Sequence, residues 1–129
     1  MKIGTFILGV FFVCCSCTDT NDEIDLSLDG EWILTNVSCF CYFGEDYDFS
    51  TSGILFAPNE QKLTVYNDGE NELFNPSGQY QYTSNNGMIT LENNTRRYFY
   101  TIEAEILTLT FVDAPEIADD EVTYTYIRK

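Results

Sequence analysis

The sequence predicts an all-β domain, a small eight-stranded antiparallel up-and-down barrel. Three observations predict it. Apolar and polar residues alternate in short runs rich in Tyr, Thr, Ile, Val and Phe; residues that tolerate positive φ stand between several of the runs; and no stretch carries the 3.6-residue period of a long amphipathic helix. One apolar face and one wet face is the pattern of an antiparallel sheet closing over its own core. Closure into a cylinder removes the edges that the alternative, a two-sheet β-sandwich, leaves unpaired.

The expected strands span 30–39, 53–57, 61–66, 79–83, 87–92, 96–103, 105–111 and 121–127. Their inward positions, taken in order, are Trp32 and Leu34; Ile54 and Phe56; Leu63 and Val65; Tyr80 and Tyr82; Ile89 and Leu91; Tyr98, Tyr100 and Ile102; Leu107, Leu109 and Phe111; and Val122, Tyr124 and Tyr126. Lys62, Gln79, Gln81, Glu92 and several threonines occupy intervening, outward positions. Asn67-Asp68-Gly69 and Asn85-Asn86-Gly87 supply turn residues, and Asn93-Asn94-Thr95 and Glu103-Ala104-Glu105 are too short for a crossover helix, so neighbouring strands pair antiparallel. The longer connections, 41–52, 67–78 and 112–120, are expected to carry variable contacts.

Ahead of this domain lies an address. Lys2 is followed by the apolar run Ile3 to Val13, the profile of a cleaved leader rather than a membrane span, which needs about 20 apolar residues. Cys14-Cys15-Ser16-Cys17 then gives way to Thr18-Asp19-Thr20-Asn21-Asp22-Glu23. This junction resembles a bacterial lipoprotein box, with Ser16 as the small residue before a lipidated Cys17 and Cys14 at the place usually held by Leu. The resemblance implies a signal peptide over 1–16, an acylated Cys17 with an acidic tether over 17–27, and one domain over 28–129. The acidic tract further resembles an export signal of Bacteroidota lipoproteins, which implies an outer-membrane anchor in either the surface or the periplasmic leaflet. Several acyl chains on one cysteine hold a protein durably, whereas one holds it marginally.

Composition excludes more than it assigns. The 129 residues hold 6 Lys plus Arg, 21 Asp plus Glu and no His. Loss of residues 1–16 removes Lys2 alone among the charges, leaving 113 residues with 5 basic and 21 acidic side chains, a balance of −16. Such a surface opposes nucleic-acid binding. Without histidine, Ser/His and Cys/His nucleophiles and imidazole-ligated metals are ruled out, and no motif gathers the carboxylates into a catalytic pair, so a non-catalytic protein is expected. Cys39 and Cys41 remain as thiols. In a regular strand their β-carbons sit about 6.6 Å apart, against about 3.8 Å in a disulfide, so a bridge requires a bend. A bend disulfide ranks first, buried thiols second and a soft-metal site last; no metal or cofactor is expected.

The strand plan, with its opening Leu28-Asp29-Gly30-Glu31-Trp32-Ile33-Leu34, resembles the lipocalin-like domains of Bacteroidota envelope lipoproteins. The resemblance implies that Trp32 closes one end of the barrel with Arg128 packed across it, and that a small apolar molecule is carried. Tyr80, Tyr82, Tyr98, Tyr100, Tyr124 and Tyr126 would line its place, unless these rings fill the interior. The alternative is an envelope or cell-surface interaction protein that meets a protein partner through its acidic loops, Glu45 to Asp48, Asp68 to Glu72 and Asp113 to Glu121. None of these loops has calcium-loop spacing.

Overall fold

The computed structural model describes residues 24–39, 41, 43–112 and 122–129. Cys17, the leader, most of the tether and the Asp113 to Glu121 loop therefore lie outside the described residues. Eight strands follow one another: β1 (Gly30–Ser38), β2 (Ser52–Ala57), β3 (Lys62–Asn67), β4 (Gly78–Asn85), β5 (Met88–Leu91), β6 (Arg97–Glu103), β7 (Ile106–Phe111) and β8 (Thr123–Arg128). Each pairs antiparallel with the next, and β8 returns to β1, so the sheet is a closed up-and-down barrel and not a sandwich. Every strand lies within two residues of its expected bounds. The β1–β8 seam runs from Trp32 opposite Arg128 to Ser38 opposite Thr123, with a bulge between Leu34 and Asn36 that turns the closing strands.

The turns have local causes. Asn86 (φ 52°) and Gly87 (φ 74°) form a two-residue hairpin with positive φ at both positions, the hand that matches strand twist. Gly53 is required for a different reason: a β-carbon there would stand 2.2 Å from the Tyr66 hydroxyl and 2.7 Å from the Trp32 carbonyl. Tyr66, its register partner on β3, lies over the bare backbone and donates its hydroxyl to Glu31 (3.1 Å).

Alternation sends the apolar set inward. Trp32, Leu34, Ile54, Phe56, Leu63, Val65, Tyr82, Ile89, Leu91, Tyr98, Leu107, Leu109 and Tyr126 are 0–2% exposed. An internal chamber wide enough for water would leave accessible area on the side chains around it, so the barrel axis along these residues is packed solid. Tyr80, Tyr100, Ile102, Phe111 and Tyr124 pack against this core at its margins. Three apolar residues outside the expected strands join it: Leu28 from the tether side, and Leu73 and Phe74 from the 67–78 connection. That connection is thus only half a surface loop.

Candidate binding site at the barrel mouth

The two ends of the cylinder differ. At one end a three-residue 3-10 turn, Leu26–Leu28, crosses the opening and buries Leu28. Trp32 Nε1 donates to the Leu28 carbonyl (2.8 Å), and the Arg128 guanidinium carbon lies 4.2 Å from the Trp32 ring centroid. Arg128 also donates from Nη1 to the Asp29 carbonyl (2.6 Å) and from Nη2 to the Ser27 carbonyl (2.9 Å), while Nε meets Glu105 Oε2 at 3.0 Å. One planar fork thereby stacks on a ring and clasps two backbone carbonyls, an arrangement a lysine cannot reproduce. Inside the same end, Tyr100 donates to Asp25 Oδ2 (2.7 Å). Partial burial pushes the Asp25 carboxyl up, but hydrogen bonds from Ser27 and Tyr100 together outweigh it and hold the group below its ordinary 3.8.

The other end carries the connections 39–51, 68–77, 92–96 and 112–122, and is the mouth. Its floor is a plug. Asn75 N–H bonds back to the Leu73 carbonyl (2.9 Å) across Phe74, whose φ is 73°. This is a γ-turn of the rare, positive-φ kind. It drives the Phe74 ring down the barrel, 4.7 Å from Tyr98 and 5.4 Å from Tyr124 between centroids, with Tyr126 at 6.5 Å. Asn67 holds the plug: its Nδ2 donates to the Asn75 carbonyl (2.9 Å), and its Oδ1 accepts from Leu73 N–H (3.0 Å) and the Ser52 hydroxyl (2.8 Å). Buried Asn75 donates from Nδ2 to the Tyr98 hydroxyl (3.1 Å) and accepts on Oδ1 from Asn94 (3.2 Å) and Arg96 (3.5 Å).

Above the plug are two adjoining hollows. The larger, about 340 Å³, lies among Val37, Cys39, Cys41, Phe43, Leu73 and Phe74, with Val122, Tyr124 and the Glu72 side chain at its edges. The smaller, about 230 Å³, is bounded by Arg96, Tyr98, Phe111, Val122 and Tyr124. Val122 and Tyr124 border both. One wall is stiffened by Phe43, Tyr47 and Phe49, whose rings stand 4.8–5.4 Å apart. Cys39 and Cys41 border the same hollow with Cα atoms 5.2 Å apart. That span lies in the range of a disulfide, and it is possible because β1 ends at Ser38, one residue earlier than expected, leaving the pair in a bend. Among the described residues no group of three or more His, Cys, Asp or Glu is placed to hold a metal ion.

The six tyrosines are not brought to one place. Tyr124 borders both hollows and Tyr98 one. Tyr80 donates to the Pro76 carbonyl (2.6 Å), Tyr82 meets Phe56 edge to face (5.3 Å) and Tyr126 is fully buried. Burial raises the phenol of Tyr98, and pushes those of Tyr82 and Tyr124 up to about 12. Desolvation also keeps Tyr126 protonated well beyond its ordinary range. Trp32 and Arg128 do meet, as do Cys39 and Cys41. Sequence reasoning missed Asn67, Leu73, Phe74, Asn75 and Arg96. The signal was present in the loop: Leu73-Phe74 are adjacent apolar residues inside an otherwise polar connection, followed by Asn75-Pro76, a dipeptide that starts turns. No protein-family model matches the chain, and comparison with curated proteins finds no relative.

Proposed function

We propose that this chain is a lipid-anchored, non-catalytic, lipocalin-like binding module of the outer membrane that takes a small apolar or aromatic molecule at the barrel mouth rather than within the barrel. One observation carries the reading: the Phe74 plug fills the barrel axis and leaves an apolar hollow of about 340 Å³ above it. That size lies at the lower end of small-molecule sites. The site is apolar in its body and polar at its edges, with Glu72 beside one hollow and the Arg96 guanidinium beside the other. The lipocalin-like kinship is supported by the Trp32–Arg128 stack and by the up-and-down closure.

The test is two-dimensional NMR of the domain titrated with anilinonaphthalene sulfonate, an apolar anionic probe. Shifts confined to Val37, Leu73, Phe111, Val122 and Tyr124, and abolished in Val122→Glu, are expected. Shifts on the outer wall, or a titration indifferent to Val122→Glu, would overturn the reading. A Cys17→Ser variant tests the anchor: it should remain unprocessed and leave the membrane fraction. Protease shaving of intact cells separates the two leaflets.

A second reading, attachment to a protein partner, is favoured by the exposure of Glu45, Asp46, Asp48, Asp68, Glu70 and Glu72 around the same mouth. A partner held this way is cationic, and its capture would be lost on neutralising those six carboxylates while probe binding in the hollow persists.

A further inference from the structure

The two ends of the barrel also differ on their outer surfaces. Six large apolar residues are exposed among the described ones, and five of them, Ile24, Leu26, Leu55, Ile106 and Ile127, belong to the closed end; the sixth, Phe99, stands on the outer wall. The local cause is visible. Asp25 turns inward to Tyr100, so its neighbours Ile24 and Leu26 are turned outward, 58% and 63% exposed. Ile106 and Ile127 are register partners, and Ile33 pairs with Ile127 across the seam, which makes an outward apolar row over β7, β8 and β1.

Ion pairing divides the same way. The three ion pairs among the described residues, Lys62–Glu60 (3.8 Å), Arg128–Glu105 (3.0 Å) and Lys129–Glu31 (3.4 Å), all lie at the closed end. Glu45, Asp46, Asp48, Asp68, Glu70, Glu72 and Glu92 are on the mouth side, none in an ion pair among the described residues. Asp25, Asp29 and Glu103 also belong to the closed end, and Arg96 and Arg97 to the mouth side. Both ends are therefore net acidic, the mouth more so, and the bilayer that suits the closed end is zwitterionic rather than anionic.

We infer that the closed end is a lipid-docking face, seated on the bilayer with Ile24 and Leu26 in the headgroup boundary and the mouth held outward. The inference rests on the lipid-anchor reading of Cys17 and adds to it the face that meets the lipid. Chain length agrees: six residues lie between Cys17 and Ile24, seven chain steps of at most about 25 Å in all when extended, and the strands place the mouth roughly 20 Å further from the anchor. Exposed apolar side chains next to an acyl anchor reach the interface at little entropic cost, because the anchor has already confined the protein to the surface.

Trp32, the single tryptophan, sits just inside this end and reports on it. The lipidated protein is reconstituted into phosphatidylcholine vesicles with or without brominated acyl chains, which quench indole emission only at short range. Flotation with the vesicles and a loss of Trp32 emission in the brominated ones are expected. Ile24→Ser together with Leu26→Ser should restore the emission with flotation unchanged; both sites are exposed, so the fold is spared. Flotation with equal emission in the two vesicle types overturns the docking and leaves the anchor standing. Failure to float overturns the anchor, and the docking with it. Equal emission accompanied by cross-linking of one copy to another through Ile106 and Ile127 positions would instead give this face to a second copy of the chain.

Discussion

Removing the Phe74 ring tests the plug and the mouth site together. Phe74 is 6% exposed and touches Tyr98, Tyr124 and Tyr126. Truncating a buried phenylalanine costs about 3–5 kcal/mol, of which the two close ring pairs supply roughly 0.5–1.5 kcal/mol each. The plug is a loop that can settle into part of the space, so Phe74→Ala belongs at the low end, about 3 kcal/mol. Alanine inherits the positive φ and gains no relief from it. Phe74→Gly removes the same ring and relieves a positive-φ strain of about 1–3 kcal/mol, which offsets glycine's usual disadvantage of about 0.5–1 kcal/mol; it should therefore be at least as stable as Phe74→Ala. Urea unfolding followed by Trp32 emission reads both variants. With a slope of about 1–3 kcal/mol per molar urea, the midpoint for Phe74→Ala falls by roughly 1–3 M. Loss of less than about 1 kcal/mol, or a glycine variant clearly weaker than the alanine one, would mean that the ring does not carry the mouth's packing. The variant should also bind anilinonaphthalene sulfonate in a deepened hollow.

Arg128→Lys should lose about 2–3 kcal/mol and red-shift Trp32 emission, since both carbonyl bonds and the stack depend on the planar fork; a wild-type midpoint would refute the clasp. Glu105→Gln, by contrast, should cost no more than about 1 kcal/mol, because its ion pair is largely exposed. Gly53→Ala should destabilise by about 1–3 kcal/mol, as Tyr66 must leave its place over the backbone, and Gly53→Ala with Tyr66→Ala should recover part of that loss in the same unfolding assay. The Asp25 carboxyl is held below 3.8, so its stabilisation is present above that pH and is lost as pH falls further; acid unfolding of Asp25→Asn should lack this component. Tyr66, Tyr82 and Tyr124 are pushed up to about 12, so the unfolded chain gives up these protons first and stability falls between about pH 10 and 12. Ionisation of Tyr66, Tyr82 or Tyr124 near pH 10 in the still-folded protein, followed residue by residue by NMR, would contradict this.

The strands were legible because a period of two leaves little choice: once Trp32, Ile54, Leu63 and Leu107 face inward, the polar residues between them face out, and a slip of one residue would bury Lys62 and Glu31. The short turns at Asn86-Gly87 and Ala104-Glu105 were legible from their chemistry and length. The plug was not. Phe74 and Asn75 lie within a loop that carries three acids, and their burial depends on Asn67, Tyr98 and Asn94, partners up to 23 residues away that no local pattern announces. The tyrosine stripe was readable as inward-facing, but which rings would border a hollow depended on where that plug came to rest. At the closed end, Trp32 and Arg128 were paired through resemblance, whereas the capture of the Ser27 and Asp29 carbonyls needed the 3-10 turn to be in place.

The seam that completes the cylinder joins its first strand to its last, and the clasp across it links Arg128 to Asp29, 99 residues apart. Until β8 is in place, β1 has no neighbour on one side and the Trp32 ring lacks the Arg128 guanidinium. Closure is therefore the last pairing the sheet can make, and removing β8 alone leaves two bare, sticky edges in place of a sealed cylinder.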